Sequence, residues 1–289
     1  MELPLSPAGR RYGGKPSRID HRDYGPPLHI LTMRGPLASR ILLPDPPSGT
    51  STLGAVKDQG QQGSCDGHAS SECGERLWRF VKGEALIFSP AFAYYQIRKF
   101  EGTLDQGDCG GQIVSGMIIA DGNPGAGGIG YCPNELMPYN QNDCSTPPSA
   151  DALAAAAKYP GGSYHNIGNN IGLIKSCIAS GYSFEIGIAV YDSFESDTVA
   201  GNGLVPIPAP SENLLGYHAL HCGMIADDTI KCPGVPNPGA VMFQNSWGSN
   251  WGCECPLTSE RGYGWLAYDF LNSTDLTIDV RMSHLGGPW

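Results

Sequence analysis

The chain is short of charge and short of long apolar runs. Asp, Glu, Lys and Arg make up only 16% of its 289 residues. Nowhere do about 18 apolar residues follow one another, the length that a membrane-spanning helix requires. Residues 1 to 30 hold no apolar stretch of signal-peptide length either. These absences argue against a membrane protein or an exported one, and the expectation is a chain of the cytoplasm or of an intracellularly assembled particle. Low charge does not mean disorder here, because a 40% hydrophobic share is enough to bury a large core. Internal repeats and low-complexity tracts are missing as well. So is any paired Cys-x2-Cys framework: His221, Cys222, Cys232, Cys253 and Cys255 do not have zinc-site spacing. No metal and no cofactor are expected.

Glycine (40) and proline (24) are abundant together, which implies much loop between secondary elements and excludes a plain helical bundle. The ten cysteines would suit a small secreted domain, but in a chain this long with no export signal the default is reduced thiols. Cys132 and Cys144, which bracket a Pro-containing loop, are the first candidates for a pair if any disulfide forms. The net charge of −10 is unevenly placed. Residues 1 to 40 carry Arg10, Arg11, Lys15, Arg18, Arg22, Arg34 and Arg40 against Glu2, Asp20 and Asp23, a balance of +4, which leaves −14 on the remainder. Nucleic acid and anionic membrane are therefore unfavourable partners for the body, and a basic partner suits it. The simplest such partner is the arm itself.

Periodicity divides the chain into three parts. Residues 1 to 50 show neither a period of 2 nor one of 3.6 and read as an extended Pro/Gly/Arg-rich arm, ordered by wrapping its own body or by docking on a neighbouring chain. Residues 51 to 160 read as a helical lobe. Ala69, Cys73, Leu77, Phe80 and Val81 fall on one face of a helix from Ser64 to about Lys82. Ser89-Pro90 is an N-cap followed by proline at the first helical position, and Ile113, Val114, Met117 and Ile118 mark a third helix. Weaker helices follow near Asp151 to Tyr159 and Ile171 to Ser180. In the last part, residues 161 to 289, the period becomes 2 at Phe184, Ile186, Ile188 and Val190, and strands are expected at His218 to Ile225, Val241 to Gln244 and Ile278 to Met282. Helices first and strands later imply an α+β fold with segregated lobes.

The residue that draws attention is Cys65, at the expected start of the first helix. A thiol attacks as its thiolate, and a helix N-terminus lowers the thiol pKa. Its surroundings strengthen the case. VKDQGQQGSC at 56 to 65, YHAL at 217 to 220 and NSWGSNWG at 245 to 252 resemble, in order, the active-site blocks of papain-like cysteine peptidases. The runs GIGYCPNELMPY and VYDSFES are similar to bacterial and viral members of that family, and the GYGWLAY segment fits a β lobe. The resemblance implies a two-lobed α+β fold, a helical lobe followed by an antiparallel β lobe with the cleft between them. It also implies a peptidase that acts on peptide or protein substrates through an acyl-thioester. By the same resemblance Cys65 is the nucleophile, His218 the general base and acid, Asn245 the group that orients the imidazole, and Gln59 part of the oxyanion hole. Trp247 shields the His-Asn hydrogen bond, Gly110 and Gly111 are the glycine pair along which substrate backbone lies, and Ala219 contributes to the second subsite. Each role has a chemical reason: the base needs a pKa near working pH and a fixed ring, and a neutral amide suits a thiolate-imidazolium pair that already balances its own charge.

Asp66 and the arm depart from the family pattern. Asp66 stands where the best-known relatives have Trp, and a carboxylate beside a thiolate raises the thiol pKa by like-charge repulsion; Asp66 also favours the helix start electrostatically. His68, one helical turn on, reads as a packed side chain. The arm lacks the helical periodicity of the family's inhibitory propeptide, so the expectation is that the basic arm either lies across the acidic body and restricts the cleft or anchors the protein in a larger assembly. The second function class is accordingly a papain-fold structural or binding component with an idle site.

Overall fold

The computed structural model describes residues 3–20, 38–46 and 53–285. The remaining arm positions, Arg22, Asp23 and Arg34 among them, lie outside the described residues. The centre of the helical half is α1 (Cys65–Lys82), which begins one residue after Ser64 and ends where Gly83 turns left-handed at φ 72°, its N–H returning to the Arg79 carbonyl and that of Glu84 to the Trp78 carbonyl. The sequence pattern predicts a single apolar face for this helix. Instead every residue from Cys65 to Arg79 is buried, and Val81, assigned to that face, is 37% exposed. The cause is tertiary: α1 lies between α2 (Pro90–Glu101), α3 (Ile113–Asp121) and the sheet, so even its polar sides are covered. Helix α2 starts as its sequence implies, with Ser89 Oγ accepting the N–H of Phe92 at 3.0 Å and proline at the first turn. Helices α4 (Ala150–Ala156) and α5 (Ile171–Ala179) are the two weaker ones, the first ending short of Tyr159.

The other half is a sheet built on β5 (Phe184–Tyr191), β6 (Leu214–Asp227), β7 (Ala240–Gln244), β9 (Arg261–Ala267) and β10 (Thr277–His284). The edges are β4 (Ser163–Asn166), which sequence periodicity does not mark, and β8 (Cys253–Glu254); the order is β4-β10-β5-β6-β7-β9-β8 with antiparallel pairing throughout this path. Strand β5 is buried on both faces from Phe184 to Val190, because the large apolar cluster with Phe184, Leu220, Met224 and Phe243 lies on one side and the helical half on the other. Three short strands come from the arm and a loop: β1 (Gly14–Lys15), β2 (Arg40–Leu42) and β3 (Gly111–Gln112). Strand β2 pairs antiparallel with the end of β6, Ile41 opposite Ala226, so part of the arm is built into the sheet. All ten cysteines are free thiols, Cys132 and Cys144 included.

One polar contact locks the segment before Cys65 onto α1. Lys57 Nζ donates to Glu75 Oε1 and Ser71 Oγ, each at 2.7 Å, and to the Phe88 carbonyl at 3.2 Å, while Glu75 also accepts the Phe88 N–H at 2.9 Å. The two side chains are 14% and 2% exposed, so removing one charge strands the other in the interior. Lys57→Met is expected to destabilise the fold by about 3–5 kcal/mol, read as a lower urea midpoint with unchanged slope; a loss within error of zero would show that the pair is not a fastening of this segment.

Candidate active site

Cys65 is the first residue of α1 and has no exposed surface. Nearby backbone N–H groups of Ala219, Gly13 and Asp66 favour its thiolate and work against the effect of burial. The loop that delivers it is pinned by Asp108, whose two carboxylate oxygens accept the N–H of Gly63 at 3.1 and 3.0 Å and whose Oδ1 also accepts the Tyr94 hydroxyl at 2.6 Å. Sequence reading missed Asp108, because the only local signal was the DCGG turn that contains it.

His218 is the fifth residue of β6, and Asn245 is the first residue after β7. Antiparallel pairing of these strands, with His221 opposite Gln244, brings the two side chains together. His218 Nε2 lies 2.9 Å from Asn245 Oδ1. The same Oδ1 accepts the N–H of Ser246 at 2.9 Å; since that N–H can only donate, the amide orientation is set and Nε2 is the nitrogen that carries hydrogen. The Nδ1 of His218 therefore keeps a free lone pair, and it has no hydrogen-bond partner among the described residues. Trp247 stacks on the imidazole at 5.0 Å between centroids and 25° between planes, covering the hydrogen bond. Gln59 is fully buried, with Oε1 accepting Ser246 Oγ at 2.6 Å and Nε2 donating to the Gln62 carbonyl at 2.8 Å. These two contacts orient the amide and leave its second N–H for another acceptor. Ala219 is buried against Cys65, Ile113, Val114 and Met117.

The glycine pair 110–111 is met by the arm. Gly111 N donates to the Gly13 carbonyl at 2.8 Å, β1 runs parallel to β3, and Gly14 stands opposite Tyr217 of β6. Only glycine fits at Gly13 and Gly110: a Cβ on Gly13 would lie 1.6 Å from the Gly63 carbonyl oxygen, and one on Gly110, at φ +71°, would lie 2.0 Å from the Gly13 oxygen. Basic arm residues meet acidic or aromatic partners on the body. Lys15 Nζ lies 3.5 Å from Glu101 and donates to the Gly110 carbonyl at 2.9 Å; Arg11 reaches Asp108 at 3.4 Å; the Arg10 guanidinium sits 4.1 Å over the Trp247 ring. None of Tyr12, Gly13 and Gly14 was singled out from sequence, although RRYGGKP carries a glycine pair between cations.

The electrostatics of this arrangement follow from dryness. Burial, then the Asp66 carboxylate, pushes the Cys65 thiol up to about 12 against the three N–H groups that lower it. Burial pulls His218 down to about 4, opposed by its bond to Asn245. Both groups are thus neutral at pH 7 in this state. His68 is a packed side chain, with Nδ1 2.9 Å from the Ser64 carbonyl oxygen, its ring edge-on to Tyr139 and its pKa lowered by burial to about 3. Among the described residues no cluster of His, Cys, Asp or Glu has the arrangement of a metal site.

Asp66 is buried rather than facing solvent at the helix start: Oδ1 accepts the Gly67 N–H at 2.9 Å and Oδ2 lies where a side chain on Gly111 would be. Burial, followed by the charge of Glu101, raises it from 3.8 to about 8, and burial raises Glu72 similarly to about 8. The folded chain therefore holds protons that an unfolded chain has released above pH 4, so these groups contribute stability that is present at low pH and lost as pH rises toward 8. His68, His218 and His221, all lowered by burial, act in the opposite sense, but only below about 6.5. Between pH 6.5 and 8 the carboxyl effect stands alone. Urea midpoints should fall across that window in the wild type and fall less in Asp66→Asn; parallel slopes would refute the assignment to Asp66.

No family model matches the chain. Among curated proteins, an uncharacterized peptidase C1-like protein of Acanthamoeba polyphaga mimivirus is 26% identical over 232 residues, 77% of this chain and 67% of that protein. Among solved structures, xylellain, a cysteine protease from Xylella fastidiosa, is 28% identical with a TM-score of 0.75, covering 94% of this chain and 95% of its own. The procathepsin B S9 of Trypanosoma congolense shares the fold at 16% identity, with a TM-score of 0.67 over 96% of this chain and 88% of its own. A bacterial cysteine protease that matches nearly end to end and a viral peptidase C1-like relative point the same way: the chain has the papain-like fold and is similar to papain-like cysteine peptidases.

Proposed function

We propose that the protein hydrolyses peptide bonds through Cys65, His218 and Asn245 by way of an acyl-thioester, and that residues 12–15 of its own arm hold this site closed. The observation that carries the reading is the 2.9 Å contact between His218 Nε2 and Asn245 Oδ1, which leaves Nδ1 as the free base on the strand whose next residue, Ala219, is buried in one cluster with Cys65. In the first half-reaction His218 Nδ1 takes the thiol proton, and the thiolate forms a bond to the substrate carbonyl carbon. The resulting oxyanion is met by the Cys65 N–H at the helix start and the spare N–H of Gln59. As the C–N bond breaks, the imidazolium gives its proton to the leaving amine. In the second half-reaction His218 deprotonates a water, hydroxide attacks the thioester, and the acid leaves as the thiol is restored. Asn245 keeps the ring in one orientation through both steps, and Trp247 keeps water from its hydrogen bond.

The arm bears on this chemistry in two ways. The Gly13 carbonyl takes the Gly111 N–H that the family resemblance assigns to substrate backbone. Gly13 also packs directly on the Gly63 carbonyl, two residues before the nucleophile. Removing the arm admits water to the thiol and imidazole, weakening the desolvation that keeps both neutral and favouring the thiolate-imidazolium pair.

Labelling by an epoxide directed at papain-like thiols should modify one residue and vanish in Cys65→Ala; undiminished labelling of that variant would show that another cysteine reacts. In the full chain, Gly13→Val cannot seat against Gly63 and is expected to raise the pH 7 labelling rate of Cys65 at least about tenfold. An unchanged rate would mean that the arm does not restrain the site.

A further inference from the structure

The Tyr12 side chain enters a pocket walled by rings beside the catalytic pair. Its ring lies 6.0 Å from that of His218, edge-on at 77°, and 6.0 Å from that of Trp247. Phe194, 2% exposed, forms the next wall, edge-on to Trp247 at 5.3 Å and to His218 at 6.4 Å, and is itself backed by Trp251. Tyr12 is 6% exposed in this setting. At the end of the pocket stands Glu195, which accepts the hydroxyl hydrogens of Tyr12 and Ser6 and the Ala8 N–H. Among the described residues, every hydrogen bond to this carboxylate comes from the arm. The helical turn Asp192–Glu195 after β5 thus presents a carboxylate that the body positions but does not itself satisfy.

The place of this pocket relative to the chemistry can be read from the arm. Gly14 and Lys15 lie along Gly111 and Gln112 on one side of Cys65, Gly13 packs on the Gly63 carbonyl two residues before the thiol, and Tyr12 is on the other side, against His218. Because His218 must protonate the departing amine, the side it faces is where the leaving segment of a substrate lies. The Tyr12 position is therefore that of the first residue beyond the scissile bond.

Resting on the peptidase reading above, we propose that Glu195 is a specificity-determining residue that selects substrates with tyrosine immediately after the cleaved bond. The rings of His218 and Trp247, backed by Phe194, accept a flat ring, and an acceptor-only carboxylate at its far end distinguishes a phenol from a benzene. A site built to hydrogen-bond a hydroxyl discriminates against the analogue that lacks it, since the acceptor is then desolvated and unpaired. A hydrogen bond to a charged acceptor corresponds to a preference of roughly tenfold or more. Leaving-segment lysine would bring a cation to the carboxylate but would replace ring-on-ring packing with a flexible stem.

The test uses the full chain carrying Tyr12→Ala and Gly13→Val, so that the arm neither fills the pocket nor seats at the thiol, with and without Glu195→Ala. Three peptides are compared that differ only in the residue after the cleaved bond: Tyr, Phe or Lys. The ratio of kcat/KM for the Tyr peptide over the Phe peptide should be about tenfold with Glu195 present and close to one in the Glu195→Ala variant. Retained epoxide labelling of Cys65 shows that the variant site is folded. A ratio near one with Glu195 present, a ratio that Glu195→Ala leaves unmoved, or faster turnover of the Lys peptide overturns the proposal while leaving the peptidase reading intact. If none of the three peptides is cleaved, the peptidase reading itself falls, and the subsite with it.

Discussion

The thiol of Cys65 is surrounded by backbone instead of water, and most of what is distinctive in this molecule follows from that packing. Three separate segments close around it: its own helix start, the strand that carries His218, whose Ala219 packs in one cluster with Cys65, and the arm, whose Gly13 presses on the Gly63 carbonyl. Bringing them together requires that the helix begin at that residue, that β6 pass alongside, and that the chain at Gly13 approach without a side chain. It also requires the interior placement of α1, which is why acidic groups such as Asp66 and Glu72 end up without solvent on a helix whose sequence reads as having one polar side. Those groups are held neutral by burial, at a cost that depends on pH. Site and stability are coupled through the same dry seam.

The arm fits the seam by charge and by shape. Its cations find Glu101, Asp108 and the face of Trp247, and its two adjacent glycines cross the narrowest point, where even a methyl group would collide with Gly63 or with the Tyr217 carbonyl. Tyr12 then reaches the rings around His218. Surface ion pairs of this kind contribute little individually, so the fit rests more on backbone pairing with Gly111 and on the burial of Tyr12 than on net charge. On the proposed reading the same walls that hold the arm are the walls a substrate meets, and the arm is a guide to their chemistry.

Much of this was legible in the sequence. A helix start at Ser64, a capped second helix at Ser89-Pro90 and strands around Phe184, His218 and Val241 all follow from periodicity and capping, and the chain builds them close to the expected bounds. The grouping of Gln59, Cys65, His218 and Asn245 followed from motif order, and the fold brings these residues to one junction. Some features were not legible. Strand β4 and the arm strands carry no period of 2, because they are held by backbone hydrogen bonds to a neighbour and not by an apolar face. Phe194 and Glu195 were visible only as part of a family-like run, without any sign that they border the site.

The sequence by itself determined the local chemistry: which residue can be a nucleophile at a helix start, which ring can serve as its base, and that strands follow helices. These are properties of short segments, fixed by propensity, capping and side-chain type. Only the tertiary structure decided that the thiol and imidazole are dry and neutral, that Asp66 is buried, and that Tyr12 meets Glu195 across 183 positions of chain. Desolvation and contact between distant segments depend on what packs against a residue, and that is settled by the whole fold.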